Sequence, residues 1–158
     1  QRAANGRAAP DEEEQAAILS AMLLVAVSQG RTTREEIADI FRIVTQHDVA
    51  DDLISVVYDR YREMVESGAA QHRMAVVSTS IGRRRTLAAA LIMGCVARPA
   101  TVQTTELIED IALDIGASSE DVAAARASLK TWQDGFASVP GVSPVTVLRH
   151  RRLKLLPA

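Results

Sequence analysis

Aromatic residues are scarce in this chain: two Phe, two Tyr and one Trp among 158 residues. That suits base stacking poorly, because stacking needs aromatic faces. Lysine is almost missing as well, with 2 Lys against 16 Arg. A single cysteine, Cys95, excludes an internal disulfide. It sits in an apolar run, which predicts a buried, inert thiol. Nothing in this pattern calls for an oxidising compartment, so a cytoplasmic location is expected. The longest apolar stretch, 87–97, has eleven residues, too few to span a bilayer. Residues 1–10 lack the apolar core of a signal peptide. A chain opening on Gln1 is expected to be trimmed or a piece of something longer.

What is present is Ala, Val, Leu and Ile, in an apolar content of 47%. This is enough for one domain with a sizeable core, and it favours close helix–helix packing. The net charge of −2 hides an asymmetry. Residues 11–137 hold all 20 acids and 12 bases, a net of −8, while Arg2, Arg7, Arg149, Arg151, Arg152 and Lys154 make the ends basic. An acidic body repels nucleic acid and favours cations or basic partners.

The chain repeats itself. An apolar stretch, a break and an acid-opened amphipathic stretch occupy residues 16–48, and the same succession returns over 86–118. Such a repeat predicts two similar helical halves packed face to face. Asp11 should cap a first helix that runs to about Ser28, apolar nearly all round and therefore central. Thr33-x-x-Glu36 is a capping box for a second helix. Its inward face is Ile37, Ile40, Phe41 and Val44, with Asp39 and Arg42 facing away. Asp51 or Asp52 opens a third helix, to Ser67-Gly68. A further helix is expected over 69–81, broken by Gly82, with Arg83-Arg84-Arg85 leading into an apolar helix over 86–97. The sixth runs from Glu106 to Ile115 and stops at Gly116. The last, capped by Ser118 or Ser119, ends near Trp132. The expectation is all-α: a flexible arm (1–10), one domain of about seven helices (11–133) around the central pair 15–28 and 85–97, and a basic tail (134–158).

The repeated unit resembles the TerB-like family, the helical domain of tellurite-resistance operons also found at the front of DjlA-type co-chaperones. Its unit is a small-residue apolar helix ending in Ala-Asp-Gly, with a Glu seven residues after the Asp. Here Ala26-Val27-Ser28-Gln29-Gly30 fills the first slot and Glu36 stands seven after Gln29. In the second copy Gly94-Cys95-Val96-Ala97-Arg98-Pro99 fills it, with Glu106 one residue late. Residues 111–121 follow the family's closing stretch, and the likeness covers roughly 12–132. The family Asp is thus Gln29 in one half and Arg98 in the other, and Pro99 replaces the second Gly. The resemblance implies a bacterial, non-enzymatic accessory protein of stress or tellurite-resistance type. Such proteins act through protein contacts, in some cases with a divalent cation such as calcium or magnesium. The residues it implies for the cation are Gln29, Glu36 and Glu106, and the acids clustered beside them, Asp39, Glu109 and Asp110, extend the candidate set. Hard cations want clustered oxygen ligands, and Gln29 keeps a carbonyl oxygen without charge.

The residues themselves leave other readings open. The acids Glu35, Glu36 and Asp39 read as helix-start charges on a solvated face, as a cation site, or as a docking patch for a basic partner. Arg83, Arg84 and Arg85 would bind phosphate or an acidic partner, or balance nearby carboxylates. Arg149, Arg151, Arg152 and Lys154, interleaved with leucines, would touch an anionic membrane or a partner groove. Thr32–Ala38 resembles the first helix of a helix-turn-helix DNA reader, but Asp48, Asp51 and Asp52 follow where bases would be needed. No zinc-type His/Cys spacing, nucleophile elbow or phosphate-cradling loop is present. An enzyme would need an internal pocket with convergent polar groups.

Overall fold

The computed structural model describes residues 9–29, 33–67, 74–96 and 102–137, and every regular element among these is an α-helix. Six helices follow one another: α1 (Glu12–Gln29), α2 (Arg34–Thr45), α3 (Asp51–Ser67), α4 (Ser80–Val96), α5 (Val102–Ile115) and α6 (Ser119–Ala137). No strand occurs among the described residues.

The centre is the α1–α4 pair, which makes the most extensive contact in the molecule. Beyond their charged first turns both helices are apolar on nearly every side because both are enclosed there. Ile18, Leu19, Met22 and Val25 of α1 are buried, as are Leu87, Ala89, Ala90 and Met93 of α4. Alanines at Ala21, Ala26, Ala88 and Ala90 let the neighbouring helices come close. Around this pair α3 packs on α1 and α6 on α4, while α2 reaches across to α4 and α5 to α1. The helix starts follow local chemistry. The Glu14 N–H donates to Asp11 Oδ1 at 2.9 Å. The Glu36 N–H donates to Thr33 Oγ1 at 3.1 Å. Both bonds satisfy backbone donors that a helix start leaves open. α5 ends in a Schellman turn, with Gly116 at φ +82° and its N–H on the Leu113 carbonyl. The Ala117 N–H closes the turn on the Ala112 carbonyl.

Four boundaries differ from the sequence expectation. Residues 69–73 of the expected fourth helix lie outside the described residues, and 74–79 form a non-helical strap. Distant partners take the backbone groups there. The Met74 N–H goes to Asp114 Oδ2 (3.2 Å), the Val77 N–H to the Ile115 carbonyl (3.0 Å), and both the Ser78 N–H and hydroxyl to Glu13 Oε1 (3.1 and 2.6 Å). Gly82 does not break a helix but lies in the first turn of α4, which starts at Ser80 under a Thr79 cap (Gly82 N–H to Thr79 Oγ1, 3.0 Å). A Cβ at Gly82 would stand 2.8 Å from Glu14 Cγ and 2.9 Å from Val77 Cγ1, so glycine is there for the close passage of α1 and the strap. α5 opens at Val102, which leaves Glu106 inside the helix rather than at its start. α6 continues through Ala137, past the expected boundary at 133. The remainder of the expected tail, 138–158, lies outside the described residues, as does most of the 1–10 arm.

Candidate functional site

The acids of the sequence reading divide into two environments. On α2, Glu35 is exposed, Glu36 is buried, and Asp39 is wholly enclosed at 0% exposure rather than facing away. The buried arc of α2 is wider than its apolar stripe and takes in both carboxylates, each of which is engaged by a partner. Arg42, expected to point out, is half-buried and donates from Nε to Asp48 Oδ1 at 2.7 Å. Gln29 closes α1. On α5, by contrast, Glu106, Glu109 and Asp110 all stand exposed. Among the described residues no three His, Cys, Asp or Glu side chains gather as they would around a metal ion. Arg98 and the basic cluster Arg149, Arg151, Arg152 and Lys154 lie outside the described residues.

The arginines of 83–85 are neither a lead-in nor a free patch. They belong to the first two turns of α4, and each meets a carboxylate of another helix. Arg83 Nε donates to Asp121 Oδ2 at 2.8 Å, and Arg84 Nε to Asp121 Oδ1 at 2.9 Å. Arg85 reaches Glu14 Oε2 of α1 at 3.3 Å, with both side chains buried. Asp121 is the hub that sequence reading missed. Its carboxylate, 1% exposed, also accepts from the Ser80 hydroxyl (2.9 Å) and the Ser118 N–H (3.1 Å). In return the Asp121 N–H donates to Ser118 Oγ at 3.1 Å, so Ser118 and Asp121 form a reciprocal capping box at the start of α6. The N-termini of α4 and α6 therefore converge on one carboxylate, whose charge suits both positive helix ends. The signal in the sequence was Ser118-x-x-Asp121. What it could not convey was that arginines 37 and 38 positions away share the same acid.

Burial alone would raise the Asp121 carboxyl. The bonds from Arg83, Arg84, the Ser118 N–H and Ser80 outweigh it and hold the group well below the usual carboxylate range. A carboxylate with both oxygens engaged and so low a proton affinity is a poor general base near neutral pH, and its chemistry is that of a clamp. Cys95 is half-buried, and burial pushes its thiol up, away from the reactive thiolate.

Two clefts flank the α4 face. The larger, about 820 Å³, lies between α2 and α6, with Ile81, Ala88 and Ile92 along its floor and Arg84, Arg85 and Trp132 on its walls. A smaller one of about 300 Å³ opens between α5 and α6. No helix among the described residues is long and apolar enough to cross a membrane. No protein-family model, curated protein or solved structure matches this chain.

Proposed function

We propose that this chain is a TerB-like accessory protein of the stress and tellurite-resistance type, acting by protein contacts rather than turnover. The observation that carries the reading is the way the halves cross. The helix order long–short–long occurs twice, as α1–α2–α3 and α4–α5–α6. The short helix of each half packs on the long helix of the other, α2 on α4 and α5 on α1. Exchange of the halves preserves these two crossing contacts, as two repeated units would require, while α5 packs as much on α4 and α2–α3 has no counterpart of like extent between α5 and α6. The exposed acids Glu35, Glu106, Glu109 and Asp110 supply faces for a basic partner. A divalent cation belongs to the proposal on the first half, where Glu36 and Asp39 are one helical turn apart on α2 and where an ion would have to displace the partners that now engage them.

The test is thermal melting against calcium, magnesium, manganese and zinc, with Glu36→Gln and Glu106→Gln beside the parent. At about a hundredfold excess over the dissociation constant, a bound ion adds roughly 2.7 kcal/mol, or several degrees for a domain of this size. The expected result is a shift that Glu36→Gln abolishes and Glu106→Gln spares. No shift with any ion removes the cation from the proposal. Duplex DNA binding that weakens steeply with salt would overturn the accessory reading in favour of a nucleic-acid regulator.

A further inference from the structure

α5 and α6 both lie on α4 and leave the 300 Å³ cleft between them. Its floor is Leu87 and Leu91, and its walls are Ile108 and Ala112 on α5 and Val122 and Ala125 on α6. Leu113 stands on the α5 lip at 77% exposure, the most exposed large apolar side chain described. Such a side chain beside an open apolar cleft is the composition of a contact surface.

The charges on the two lips identify what fits. The α5 lip carries Glu109, with Glu106 one turn before it on the same side of the helix. The α6 lip carries Arg126, with Lys130 one turn further on. Neither Glu109 nor Arg126 has an ion-pair or hydrogen-bond partner among the described residues, while Lys130 reaches Asp134 at 3.3 Å. A uniformly basic helix would suit the α5 lip and be repelled by the α6 lip, and an acidic helix would meet the reverse. The matching partner carries both signs at the same separation, on either side of an apolar centre. A second copy of this chain has that arrangement by construction.

We infer that the α5–α6 cleft is a self-association surface on which two copies of the chain pair about a two-fold axis running along the cleft. Such an axis lays the α5 lip of one copy over the α6 lip of the other, so Glu109 faces the partner's Arg126, twice. Each Leu113 then leaves water against the wall of the opposite cleft. The inference rests on this cleft alone and is independent of the family reading. α5 has 14 residues. At about 1.5 Å per residue and a width of two helices, the face measures roughly 20 by 20 Å per copy. That is about 800 Å² over the two copies, below the roughly 1,000 Å² of a stable interface, so the pairing is a weak, transient one that the matched charges orient.

Sedimentation velocity of the full chain, from low micromolar to several hundred micromolar, tests it. The expected result is a concentration-dependent monomer–dimer shift. Leu113→Glu should leave the chain monomeric throughout, with unchanged helical circular dichroism and melting, because Leu113 makes little contact within the copy. Glu109→Arg and Arg126→Glu should each weaken association about tenfold, and the double swap should restore it. A monomer at every concentration overturns the inference. A dimer indifferent to Leu113→Glu also overturns it, and leaves the cleft to another occupant. Failure of the double swap to restore association overturns the two-fold pairing of the lips.

Discussion

Three consecutive arginines open α4 and three carboxylates stud the outer side of α5, and the molecule uses the two triplets in opposite ways. Arg83 and Arg84 converge on Asp121, and Arg85 on Glu14, so every charge is met by a carboxylate of another helix. Glu106, Glu109 and Asp110 remain in solvent. The difference lies in what surrounds each helix. α4 is central and packs against α1, α2, α5 and α6, so a charge on its first turns either finds a partner or stays enclosed without one. α5 is peripheral, with one side on α1 and α4, and its other side costs nothing to charge. A run of charge is therefore a binding feature or a structural one according to the depth of the helix that bears it.

The largest effect should come from the hub. Asp121→Asn keeps the shape but removes the charge between two arginines, and breaking a buried pair costs about 3–5 kcal/mol. Arg84 is half-exposed and recovers some hydration, which places the loss near 3 kcal/mol. Melting or urea denaturation measures it. The pH dependence has a definite sign. The folded carboxyl is depressed, so its contribution is complete above the unfolded value of about 3.9 and is lost as pH falls below it. Asp121→Asn should therefore flatten the acid limb of the stability curve and leave the neutral-to-alkaline limb parallel to that of the parent.

A smaller effect separates packing from charge at the same place. Gly82→Ala would ordinarily favour a helix by up to about 1 kcal/mol. Here the added methyl meets Glu14 Cγ and Val77 Cγ1 at under 3 Å. Denaturation should show a net loss of roughly 1–2 kcal/mol. A gain would mean that the strap and α1 yield easily.

The smallest effect belongs to α5. Glu106→Gln and Asp110→Asn, alone or together, should move stability by no more than about 0.5 kcal/mol, measured at a dilution where copies do not associate. A larger loss would mean that these carboxylates have structural work and would collapse the contrast with α4.

Short-range features were legible in the sequence. Asp11 and Thr33 announced their helices because each caps a donor three residues on. Gly116 announced the end of α5, since the Schellman turn closes within five residues. The two all-apolar stretches identified the central pair because enclosure on every side removes periodicity. Long-range features were not legible. The strap at 74–79 looked helical because its backbone partners, Glu13 and Asp114, lie 65 and 40 residues away. Gly82 looked like a breaker because glycine's role in close approach leaves the same letter as its role in a turn. Asp39 sat on the polar side of the α2 wheel, yet the cover over α2 extends past the apolar stripe to include it. For the arginines, balancing carboxylates was one of the readings open in the sequence, but which carboxylates they meet was hidden because those acids come from α1 and α6.

The most direct test neutralises each triplet whole. Arg83, Arg84 and Arg85 would be changed to Gln in one variant. In the other, Glu106 and Glu109 would be changed to Gln and Asp110 to Asn. Both would be melted beside the parent at equal, dilute concentration. The arginine variant should lose most of its cooperative transition, because Asp121 and Glu14 are left buried without a countercharge, while the acid variant should melt within a degree or two of the parent. Equal losses in the two, or a larger loss in the acid variant, would contradict it.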